Sequence, residues 1–192
     1  MSDEQAPDFA MLRAVEILAG IYERTREERD RPPPQFDCPV LLFNETLACD
    51  VNRTVRRDVQ RALGIGFMYP ANGWHTYCVL GANGAREFLS LFYSGDRLVC
   101  AELYAPKSER APALAPRNLG RFRFVPGEVA LGLPITALPN HFGRVSELGE
   151  HLGAYSEQFC ARFPGGAAYA MGNGGTIERL ALYVLRDESS AP

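Results

Sequence analysis

The chain has 192 residues, 46% of them hydrophobic, enough to bury a sizeable core in one ordinary domain or two small ones. A net charge of -3 and an isoelectric point near 5.7 exclude a nucleic-acid binder of the usual kind, because phosphate recognition needs a clustered excess of lysine and arginine. No run of about 18 apolar residues occurs, which excludes a membrane-spanning helix.

The opening stretch, residues 1 to 7, is acidic and polar and lacks the apolar core of a secretory signal, so a cytoplasmic location is expected. Cys38, Cys49, Cys78, Cys100 and Cys160 are odd in number and widely spaced, with no C-x-x-C pair. They read as reduced thiols, mostly small core residues, and no metal or other cofactor is expected.

Residues 8 to 29 carry a helical pattern: Asp8 is placed to cap it, and Phe9, Leu12, Val15, Leu18 and Tyr22 recur at spacings of three and four. The charged "ERTREERD" extends this helix into solvent, and "RPPPQ" (31–35) stops it, because proline lacks the donor and clashes with the preceding turn. Residues 1–35 thus read as a helix and proline linker ahead of a first α+β unit, 36–104. Within that unit "PVLLFNETL" fits a strand or the first turn of a helix. Asn52 is placed to cap a helix whose Val51, Val55, Val59 and Leu63 fall on one side, closed by Gly64. "GWHTYCVLG" (73–81) reads as a strand, and "FLSLFYSGDRLVCAELY" (88–104) as a hairpin turning at Ser94, Gly95 and Asp96.

Three prolines among Ala, Ser and Arg mark 105–120 as an exposed connector that cannot continue a sheet. A second α+β unit follows at 121–187, with a short tail at 188–192. In it, Val145, Leu148, Leu152, Tyr155 and Phe159 have the spacing of an amphipathic helix ending at Pro164-Gly165. "AAYAMGNGGTIERLALYV" then resembles the first hairpin, about 80 residues on. The expected fold class is α+β: an antiparallel sheet with helices packed on one face, built from two diverged tandem repeats.

Strand alternation puts Phe88, Ser90 and Phe92 on one face of the first hairpin with Leu98, Cys100, Glu102 and Tyr104. Leu89, Leu91, Tyr93, Val99, Ala101 and Leu103 point the other way and are the set expected against helices. The mixed face is left as the binding surface, and the residues assigned to it are Trp74, Tyr77, Phe92, Glu102 and Tyr104, since aromatic rings with polar tips dominate protein interfaces.

Catalytic patterns are weaker. His75 and Cys78 sit three apart and fall on opposite sides of a strand. Glu147 and His151 are one helical turn apart, near His141, yet no metal-ligand spacing is present. The glycine-rich "MGNGGT" (171–176) would cradle phosphate if a helix followed, but the likeness between hairpins favours a strand there, with the glycines serving a turn.

In the first half, "TVRRDVQRALG", "GWHTY" and "LSLFYSGDRLV" together resemble the unit of beta-lactamase inhibitory proteins and small outer-membrane assembly lipoproteins, with Val59, Leu63, Gly64, Trp74 and Tyr77 at the matching places. The resemblance implies a helix-covered antiparallel sheet whose exposed face clasps another protein. Unlike those families, the sequence shows no export signal and no lipid-accepting cysteine near its start. The expectation is therefore a non-catalytic cytoplasmic protein-binding module of inhibitor, immunity or chaperone type, with another protein as its partner. The alternative is a small-molecule binder or enzyme with a pocket between the units, near His141, Glu147 and the 171–176 turn.

Overall fold

A computed structural model describes residues 36–51, 53–68, 73–81, 84–106, 114–117, 120–144 and 155–185. The helix expected over 8–29, its proline linker, Asn52, Glu147, His151 and the 188–192 tail lie outside the described residues.

Among the described residues there are eleven strands, one α-helix and a short 3-10 helix (Ile135–Ala137). A small antiparallel sheet joins β1 (Leu41–Phe43) to β2 (Ala48–Cys49) and β7 (Arg123–Val125), so the ambiguous "PVLLFNETL" contains a strand. The main sheet has eight antiparallel strands: β3 (Phe67–Met68), β4 (His75–Leu80), β5 (Arg86–Ser94), β6 (Arg97–Tyr104), β8 (Gly143–Arg144), β9 (Glu157–Phe163), β10 (Gly166–Asn173) and β11 (Thr176–Val184). They lie in the order β3-β4-β5-β6-β11-β10-β9-β8, so two runs of four consecutive strands meet along a seam between β6 and β11.

Hydrophobic alternation explains why both hairpins form. Leu89, Leu91, Tyr93, Ala101 and Leu103 of the first, with Ala168, Ala170, Leu180 and Leu182 of the second, turn to one face and share a single buried cluster. We call this face inner. It is covered by the small sheet, through Leu42, Cys49 and Phe124, and by α1 (Arg56–Leu63), through Val59 and Leu63. Burying those two aliphatic side chains contributes about 1.5 to 3 kcal/mol each. Gly64 ends the helix at a φ of 70°, a conformation glycine adopts without strain. Val55, not Asn52, occupies the N-cap: it bridges to Arg97, while the Arg56 amide donates to the Asp96 carbonyl at 2.7 Å, so the hairpin tip takes the place of a side-chain cap.

Each hairpin carries a bulge. Phe92 pairs with Cys100 but Tyr93 pairs with Leu98, so Val99 is the extra residue. Likewise Met171 pairs with Arg179 and Gly172 with Ile177, leaving Glu178 extra. The second bulge lies 79 positions after the first, and the turns beside them hold Gly95 and Gly174, both at φ 57°. The outermost pairs match as well: Phe67 and Met68 lie opposite Thr76 and His75, and Gly143 and Arg144 opposite Cys160 and Phe159.

Three expectations need correction. The bulge reverses the faces of two residues: Leu98 joins the inner cluster, while Val99 packs against the outer one. Phe159, expected on a helix, stands in β9, where "EQFCARF" alternates about β10. The connector is not wholly apart from the sheet, because Arg117 forms a parallel bridge to Val79 and exchanges backbone hydrogen bonds with Cys78 and Leu80. Among the described residues the cover is one helix and a small sheet, and no helix is long and apolar enough to cross a membrane.

Candidate functional site

The residues assigned to a binding face do not form one open surface. Tyr77 belongs to the inner face. Its hydroxyl donates to the Gly64 carbonyl at 3.2 Å, and its ring packs so closely on Gly66 that a Cβ there would lie 2.6 Å from it. Trp74, Phe92, Glu102 and Tyr104 do share the outer side, with the Trp74 and Phe92 rings 5.6 Å apart and Tyr104 stacked on Phe88 at 5.9 Å. Yet Phe92 is only 4% exposed and Glu102 6%, while Trp74 and Tyr104 are half-buried. The reason is that both faces of this sheet are buried. The outer one has its own cluster of Phe92, Cys100, Cys160, Tyr169, Met171 and Tyr183, so the rule that a mixed face is a wet face fails here.

The polar groups on that face pair with one another. Tyr183 Oη donates to Glu102 Oε1 at 2.6 Å, and Arg179 Nη2 donates to Glu102 Oε2, tying β11 to β6 across the seam. The Arg179 guanidinium also lies 5.8 Å from the centre of the Tyr104 ring. In the same cross-strand row, Thr76 and Ser90 share a hydrogen bond at 2.9 Å, and Ser90 reaches the Tyr104 hydroxyl at 3.4 Å. Burial, then the Glu102 charge, pushes the Tyr183 phenol and the Cys100 thiol well above their ordinary ranges. Burial works against the Arg179 charge, but Glu102 outweighs it and holds the guanidinium protonated. This is a neutralised, hydrogen-bonded cluster that locks two strands together. A thiol so reluctant to ionise is no nucleophile.

Among the described residues the other candidates do not converge. His75 turns inward against Tyr93, and burial, with Arg56 near, lowers its pKa, whereas Cys78 faces outward and accepts from Arg86 Nε at 3.4 Å. His141 is exposed, its ring 4.1 Å from that of Phe36. Strand β11, not a helix, follows the 171–176 glycines, so no helix N-terminus meets that turn. Among the described residues no group of three or more His, Cys, Asp and Glu could hold a metal ion. Glu87 is the one buried carboxyl with an unmatched oxygen among them: desolvation pushes its pKa up to about 7 against the opposing pull of Arg121.

One surface feature is not evident from periodicity. Ile65 is 81% exposed, Phe67 45% and Met68 54%, and they are the exposed large hydrophobic residues of the described chain. All three fall in "GIGFM" (64–68), the edge strand and its approach. Its one sequence signal is an apolar pair after alternating glycines, with no charge beside it to hold an edge apart. Comparison of the chain with protein-family models, with curated proteins and with solved structures finds no match in any of the three.

Proposed function

We propose that this chain is a non-catalytic protein-binding module that engages its partner along the β3 edge of the main sheet. The carrying observation is the contrast between the two ends of that sheet. Phe67 and Met68 stand exposed at one end, and Gly143 and Arg144 occupy the matching register at the other. The architecture thus closes a sheet end without apolar side chains, and the β3 pair is surplus to folding. Exposed apolar side chains clustered at a sheet end offer contact area that a partner surface can cover.

The matching bulges, turn glycines and outermost pairs also support our reading of the two four-stranded halves as diverged copies of one unit, as does the spacing of 79 positions between bulges. On that reading the edges began alike, and the apolar one was kept or acquired for contact. The five cysteines are all free thiols, which suits a reducing, cytoplasmic compartment.

Affinity capture from native lysate tests the proposal, with wild type, Phe67→Thr/Met68→Arg and Trp74→Ala/Tyr104→Ala run side by side. The expected result is a protein retained by the wild type and by the Trp74/Tyr104 variant but lost by the edge variant. Equal retention by all three sinks the proposal.

A further inference from the structure

We infer that the seam between the two halves is a self-complementary surface that fits a second copy of this chain, the first half of one copy pairing with the second half of the other; this holds whether or not β3 is the binding edge. The backbone carries the inference. Across the seam Tyr104 pairs with Arg179 and Cys100 with Tyr183, so residues 79 positions apart, Tyr104 and Tyr183 or Cys100 and Arg179, exchange roles. Ala101 with Leu182 and Leu103 with Leu180 are related in the same way, about a centre at Glu102 and Ala181. A contact in which each residue and its equivalent trade places is the signature of a two-fold interface between copies of one unit.

The units on either side agree in detail. The Leu98 amide donates to the Thr54 carbonyl and the Arg56 amide to that of Asp96; 79 positions on, Ile177 donates to Leu133 and Ile135 to Gly175. Val55 bridges Arg97 as Pro134 bridges Thr176, and α1 starts at Arg56 as the 3-10 helix starts at Ile135. The small sheet repeats the relation beneath. Phe43 pairs with Ala48 as Phe124 bridges Val129, 81 positions on, and between the halves Leu42 pairs with Phe124 and Phe43 with Arg123. Two strand pairs in two layers thus have the same symmetry. Concentration decides which copy supplies each half. The connector over 105–120 holds a chain's own second half at an effective concentration on the order of millimolar, which favours pairing within one chain; without that match, another copy takes its place at no new contact.

Charge reversal removes the match in the full chain. Glu102→Arg sets two guanidiniums against each other at the seam, and Arg179→Glu sets two carboxylates, so neither variant matches itself, within a chain or between copies. Mixed, the second variant's Glu102 meets the first variant's Arg179, and the reversed pair forms at the other seam. The two variants are unfolded in urea, alone and in equimolar mixture, and refolded by dilution; mass is read by light scattering after gel filtration and location by amide hydrogen exchange in β6 and β11. The mixture should give a species of twice the chain mass that holds both variants one to one and protects those amides. Either variant alone should give about tenfold less of it. Wild type refolded at millimolar concentration should give the same dimer. A mixture without that species, equal yields from either variant alone, unprotected β6 and β11 amides, or a wild type that stays monomeric at millimolar concentration would each overturn the inference.

Discussion

The two four-stranded halves of the main sheet share a backbone plan but fill it with different side chains. Along the seam and at the hairpin tips they match in register, bulge and turn glycine, because backbone pairing and twist dictate those features. The side chains part, even on the seam and beside the bulges. Glu102 stands where the second half has Ala181, Tyr93 where it has Gly172, Glu87 where it has Gly166, and Phe67-Met68 where it has Gly143-Arg144. Features common to both halves are what the architecture demands, and features in one alone have a local purpose to be found.

Copying a residue from one half into the other tests that division. The largest effect belongs to Glu102→Ala, which installs the counterpart residue and strands the Arg179 charge at the seam. Loss of about 3 to 5 kcal/mol is expected in urea unfolding, since removing one partner of a buried pair leaves the other uncompensated. A loss under about 1 kcal/mol would show that the pair does not hold the halves together.

Next is Gly172→Ala. The bulge accommodates tyrosine at position 93, but a Cβ at Gly172 would lie 1.9 Å from the Thr176 carbonyl oxygen. Because that neighbour is backbone, a cost of about 2 to 3 kcal/mol is expected. A neutral substitution would mean that the two bulges are more alike than their residues suggest.

Glu87→Gln should stabilise instead. The folded carboxyl holds its proton up to about pH 7, against an ordinary value of 4.5, so the unfolded chain releases a proton first. The wild type therefore loses stability as pH rises from about 4.5 to 7 and carries the full penalty above 7. The variant removes it, with a gain of about 2 kcal/mol at about pH 8.5, allowing for partial solvation, and little gain at about pH 4. Equal gains at both pH values would point to packing rather than charge. The smallest change in stability, within about 1 kcal/mol, is expected of Phe67→Thr/Met68→Arg, the variant whose proposed effect is on capture.

Much of the sheet is legible in the sequence because alternation and turn residues agree locally. Both hairpins, the strand through Tyr77 and the helix end at Gly64 follow from periodicity and glycine alone. The swapped Leu98 and Val99 are not legible, since nothing in "DRLVC" marks an extra residue. Phe159 departs from the expected helix because the apolar spacing that reaches it runs into a segment that also alternates, and pairing with β10 makes that segment a strand. Harder still is the burial of Phe92 and Glu102: alternation shows which side chains share a face, not whether that face meets water. The exposed edge is hidden for the opposite reason, as "GIGFM" is too short to carry a period and has the look of a connection.

The seam between β6 and β11 also shapes the chain's birth. A ribosome delivers β6 roughly seventy residues before the strand that will flank it, a delay of about 4 to 14 s at ordinary elongation speeds. Throughout that interval the nascent first half shows two open borders, one of them destined for the interior of the finished molecule. A chain cut short between the halves would keep that border bare, and its fate in the cell would be clumping or rescue by a holdase.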